Sequence, residues 1–133
     1  MKLLIDDSFV NLELKDYLLS QKGITYVAIE ENKFLSEIII NHNNKTTPLV
    51  IMMDIELFQN YNHSVLVEFD KEDNEECNTL KYVIEDMCCE YCYKGLVREL
   101  FNNKNIKSVK SNFDFKKPAF NIFSLFLSIS ILL

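Results

Sequence analysis

Catalytic signatures are missing from this 133-residue sequence: it has no P-loop, no serine–histidine pair and no phosphorylation-type aspartate motif. The chain is therefore not expected to be an enzyme. Basic patches with interleaved aromatics are also missing, which argues against a nucleic-acid partner. No secretory-type leader is visible, because the apolar run at 1–5 stops at Asp6 and Asp7. The expected location is the cytoplasm, or the cytoplasmic face of a membrane, where thiols stay reduced. Cysteines are few, four in all. Yet three of them, Cys88, Cys89 and Cys92, lie within "EDMCCEYCYKG" at 85–95. In a reducing compartment such a cluster favours metal or redox chemistry over a structural disulfide.

What is present describes a globular protein: 48% hydrophobic residues and 26% charged. The charge is uneven. Residues 1–70 carry five lysines against eleven acids, a net of −6, whereas 71–133 balance nine against nine. An acidic first half can steer a basic protein partner or simply be a solvated surface.

Periodicity predicts an α+β chain. "KLLI" at 2–5 reads as a strand, and Val10, Leu14, Leu18 and Leu19 keep helical spacing over 8–21. Ser8 is the expected N-cap of this helix and Gly23 its stop. The β-rich runs 24–30 and 34–42, joined by "ENK", predict a hairpin. Thr47 as cap and Pro48 as first helical residue open a second helix, and 63–70 is a further strand. The polar, acidic stretch 71–80 reads as a linker. After it come a strand at 81–87, a helix at 91–103 and a strand at 106–115.

The second half thus begins in the order of the first. Shifting the chain on itself by 82 residues lays "LSQKGITYV" (19–27) over "FNNKNIKSV" (101–109) without a gap. Lys22 meets Lys104, Ile24 meets Ile106 and Val27 meets Val109. Gly23 meets Asn105, the two residue types that best tolerate a left-handed helix end. Cys89 falls on Asp7 and Cys92 on Val10, so the first copy keeps the frame without the thiols.

A C-x-x-C at the mouth of a helix has a physical logic. The unpaired N–H groups and partial positive charge of the helix start stabilise thiolate. Residues three apart, one in the loop and one in the first turn, can aim two sulfurs at one point. Thiolates select Cu(I), Zn(II), Cd(II), Pb(II) or Hg(II) over hard cations. A closed zinc site needs four ligands, usually in two pairs, and there is no second C-x-x-C and no H-x-x-x-H. An open, exchange-competent site fits better. The alternative is a thiol-disulfide oxidoreductase, but that fold needs a longer βαβ context and a downstream proline, and here only Pro118 follows. A third reading is an interaction module whose thiols bind no metal.

"YVIEDMCCEYCYKGLVRELFNNKNIKSVKSNFDF", 82–115, resembles a heavy-metal-associated domain of the kind found in copper chaperones and heavy-metal P-type ATPases. The resemblance is carried by M-x-C-x-x-C (Met87, Cys89, Cys92) after a strand, and by a helix leading into "NIKSV". It implies a ferredoxin-like βαββαβ sandwich, metal held by Cys89 and Cys92, and Met87 packed beneath the loop. It also implies a role in metal transport: a module that takes an ion from, or gives it to, a partner protein. The organisation expected is two tandem copies. Residues 1–70 form a degenerate copy without the metal motif and 71–80 a linker. Residues 81–118 form a truncated metal-binding copy and 119–133 an apolar tail.

Three departures from the family shape the expectation. Asp86 stands where glycine is usual, Cys88 fills a position normally threonine or another small residue, and the second copy lacks its second helix and fourth strand. With Cys89 and Cys92 alone, near-linear Cu(I) is the preferred guest. Cys88 as a third thiolate, with oxygen from Asp86 or Glu90, would suit Zn(II), Cd(II) or Pb(II). Tyr91 and Tyr93 flank Cys92 as shielding or packing groups. Cys77 is read as a bystander, and His42 and His63 as surface residues. The tail is expected to give a frayed apolar end after a third strand at 113–123. As a helix it would reach only about 22 Å, short of a membrane core of about 30 Å. Membrane contact would arise only if the tail were an anchor or the chain part of a transporter.

Overall fold

A computed structural model describes residues 1–6, 13–31, 35–59, 65–72, 77–85, 90–111 and 124–132. Its class is α+β, with a seven-stranded, wholly antiparallel sheet. The first half runs β1 (Lys2–Asp6), α1 (Leu14–Leu19), β2 (Ile24–Glu31), β3 (Leu35–His42), α2 (Pro48–Gln59) and β4 (Leu66–Asp70). The second half runs β5 (Cys77–Glu85), α3 (Glu90–Asn102), β6 (Ile106–Ser111) and β7 (Ser124–Leu132). Across the sheet the order is β2-β3-β1-β4-β6-β7-β5.

Local chemistry explains the punctuation. Thr47 caps α2, its Oγ1 accepting from Val50 N at 3.3 Å, and Pro48 stands first in the helix, where its missing N–H costs nothing. Gly23 ends the α1 turn at φ +88°, and a Cβ there would lie 2.9 Å from Thr46 Cγ2. Asn105, its partner in the repeat, does not share this conformation: Gly23 and Glu72 are the positive-φ residues among those described. Asn105 N instead donates to Asn103 Oδ1 at 3.0 Å, a side-chain turn that closes α3 by another route. The predicted N-cap Ser8 lies outside the described residues, and α1 is described only from Leu14.

The core forms between one face of the sheet and the helices. Leu3, Ile5, Ile38, Ile40, Val67 and Phe69 alternate along their strands and are buried with Leu14, Leu18, Ile51, Ile55, Val97 and Phe101. Tyr17 stacks on Phe58 at 4.4 Å and joins α1 to α2. Phe69 meets Phe101 edge-on at 4.9 Å and joins β4 to α3. The opposite face carries Lys2, Glu37, Glu68, Asp70 and Lys110 around a shallow depression. None of the described helices is long and apolar enough to cross a membrane.

Two expectations about the second half need correction. Two separate sandwiches joined by a linker at 71–80 are replaced by one continuous sheet. β4 pairs directly with β6 (Phe69 opposite Val109, Asp70 opposite Ser108), and β5 begins at Cys77, inside the expected linker. That stretch looks like a linker because β5 is an edge strand whose residues 78–83 are all exposed, so burial leaves little mark on the sequence. The second correction concerns 119–133, expected as a frayed tail. Ser124–Leu132 is instead β7, paired with β5 on one side and β6 on the other. Its alternation shows why: Leu127 and Ile129 are buried while Ser128 and Ser130 lie between them. The third strand expected at 113–123 lies outside the described residues.

Candidate functional site

Of the C-x-x-C segment, the structure describes the strand before it and the helix that holds its second cysteine. β5 ends at Glu85 and α3 begins at Glu90. Asp86, Met87, Cys88 and Cys89 fall outside the described residues. Tyr91 and Cys92 belong to the first turn of α3, and Cys92 is exposed there. At that turn the helix start supplies the positive end of its dipole, which favours thiolate over thiol. Cys77 stands at the other end of β5, roughly 26 Å away along a nine-residue strand. Among the described residues no group of three or more histidine, cysteine, aspartate or glutamate side chains converges. His42 lies at the end of β3 with Nδ1 3.1 Å from Asn43 O, and His63 is outside the described residues.

What fixes the exposed turn is the rest of α3. Tyr93, Val97 and Phe101 recur every four residues and form its buried stripe. The Tyr93 hydroxyl donates to Val67 O at 2.8 Å, tying the helix to β4. Burial pushes the Tyr93 phenol well above its ordinary range and Glu68 adds to this, against a hydrogen bond with Ser111 that acts the other way. The packing role read for Tyr93 is thus the one observed. Lys94 is 4% exposed and its Nζ donates to Asp6 Oδ2 at 2.6 Å, pinning the start of α3 to the end of β1. Arg98 reaches α2, with Nη2 2.8 Å and Nε 3.1 Å from Glu56 Oε1. Cys92 therefore projects from a helix held on three sides.

Sequence reasoning missed Lys94, Glu68 and Lys71. A signal for Lys94 existed, since it sits beside Tyr93 on the apolar stripe, where a lysine requires an acidic partner. Glu68 faces the open side of β4, and its Oε1 accepts from Ser111 N at 2.9 Å and Ser111 Oγ at 3.2 Å. Burial raises its carboxyl above the ordinary value, and the two Ser111 bonds and Lys110 oppose that rise. Lys71 was hidden in the supposed linker. Its Nζ donates to Phe101 O at 2.8 Å and Asn103 O at 3.1 Å, capping the end of α3.

No protein-family model, no curated protein and no solved structure matches the chain.

Proposed function

We propose that the chain binds a soft metal ion, Cu(I) before others, through Cys89 and Cys92, and exchanges it with a donor or acceptor protein in the cytoplasm or at the cytoplasmic face of a membrane. In this reading it is a binding module and not an enzyme. The observation that carries the proposal is the exposure of Cys92 in the first turn of a well-anchored helix, seven residues beyond the end of a strand. A soft, easily exchanged ion needs thiolates that a partner's thiols can reach, and an exposed helix start offers one such position. Cys88, with Asp86 or Glu90, is the added ligand that would turn the site toward Zn(II), Cd(II) or Pb(II).

The strand order supports the ferredoxin-like part of this reading. β2-β3-β1-β4, crossed by α1 and α2, follows the βαββαβ plan, and β5, α3, β6 and β7 follow its first four elements, with β7 between β5 and β6. The second unit has no described counterpart of α2 or β4 and lays its β6 edge on the first unit instead.

Competition with a Cu(I)-specific chelator under anaerobic conditions tests the proposal. Cys89→Ser and Cys92→Ser should each abolish binding, and Cys88→Ser should leave Cu(I) affinity nearly unchanged. Binding that survives Cys92→Ser would contradict it. Efficient turnover of a disulfide substrate, lost in Cys89→Ser, would favour the oxidoreductase.

A further inference from the structure

We infer that the cleft at the junction of the two halves, at the opposite end of α3 from Cys92, is a binding site for small organic anions with an apolar body. The cleft has a volume of about 680 Å³ and draws its walls from the end of β3, the start of α2 and the end of α3. That size lies within the range of small-molecule sites, roughly 300–1,000 Å³. Pro48 and the exposed Leu49 supply apolar surface over the buried Ile40 and Phe101, and Lys71, Lys104 and His42 supply polar ends.

Lys71 is the centre of the argument. Its ammonium lies 4.7 Å from the centre of the Phe101 ring and 5.4 Å from that of Phe69. Two of its three N–H groups are used by the carbonyls of Phe101 and Asn103, which leaves one for a ligand. Glu72 also lines the cleft, but its carboxylate is engaged by the Met1 amine at 3.3 Å and Lys2 at 3.8 Å. It is therefore not the counter-charge of Lys71. Burial lowers the Lys71 amine from 10.5 to about 8, as expected for an ammonium short of water and of a nearby carboxylate. Lys104, exposed in the turn after α3, adds a second positive charge at the mouth. A ligand carboxylate would supply the missing counter-charge, and an alkyl chain would cover Pro48 and Leu49. A neutral ligand satisfies only the second condition, and a small inorganic anion only the first.

The test is a titration of the full, ¹⁵N-labelled chain with hexanoate, followed by amide shifts. Saturable shifts centred on Leu49, Lys71, Asn102 and Lys104 are expected. Hexanol should bind about tenfold more weakly, the worth of one charge-assisted hydrogen bond. Binding should also weaken as pH rises through 8, where Lys71 loses its proton. Lys71→Met removes two carbonyl contacts and can destabilise α3, so the exposed Lys104→Glu serves as the second variant and should weaken hexanoate several-fold in a folded protein. Shifts scattered over the surface, no binding, equal affinity for hexanol, or indifference to Lys104→Glu would each overturn the inference. The metal proposal rests on other residues and would stand either way.

Discussion

Two lysines show how burial acts on single residues here. Lys94 is buried with Asp6 as a partner, so removing that carboxylate takes a counter-charge from a buried ammonium, whereas removing both charges does not. Asp6→Asn should therefore destabilise the protein by about 3 kcal/mol in urea unfolding, and adding Lys94→Met should recover most of the loss. A double mutant as unstable as Asp6→Asn alone would show that the pair does not account for the effect. Lys71 gives a pH signature. Its amine titrates near 8 when folded and at 10.5 when unfolded, so below 8 both states are charged and the cost of burying the ammonium is full. Between 8 and 10.5 the unfolded chain holds more protons, and stability contributed by this residue rises with pH. The stability of wild type relative to Lys71→Met should shift in favour of wild type across that window. A flat difference would mean that Lys71 is not desolvated. Lys71 carries no mark in the sequence, and Lys94 is marked only by its place beside Tyr93, which does not name its partner. A lysine's neighbours in space decide whether it is solvated, and Asp6 lies 88 residues from Lys94.

Elements were more legible, because periodicity and punctuation are local. Thr47 and Pro48 mark the start of α2, Gly23 the end of the α1 turn, and the run 91–103 the helix α3. Gly23→Ala should cost about 2 kcal/mol in thermal or urea unfolding: alanine at φ +88° is strained, and its Cβ would meet Thr46 Cγ2 at 2.9 Å. An unchanged midpoint would indicate that the turn relaxes freely. β5 and β7 were read less well. Edge exposure makes the start of β5 look like a linker, and β7, an apolar run broken only by serines, looks like a tail until its pairing on both sides is seen. Since β7 is the one partner of β5 among the described strands, a chain ending at residue 123 should lose amide protection throughout β5 while β1, β3 and β4 keep theirs. Retained protection in β5 would mean that something besides β7 holds it.

At the scale of the molecule, the repeat of 82 residues and the shared element order were readable, but the way the halves meet was not. Sequence similarity reports each unit's own plan. The β4–β6 junction depends on which edges remain open once each unit has folded, and here the open edges pair with each other. The C-x-x-C segment stands out from residue types and spacing alone. The structure adds the anchoring of α3 and the exposure of Cys92. The first half carries Asp7 and Val10 at the positions of Cys89 and Cys92, so the molecule as a whole should offer one tight soft-metal site. The most direct measurement is anaerobic titration of the full chain with Cu(I), read by native mass spectrometry. The account predicts a single species with one Cu(I) per chain, absent in Cys89→Ser and in Cys92→Ser. An intact chain that takes up no copper, or two equivalents held with similar affinity, would contradict it.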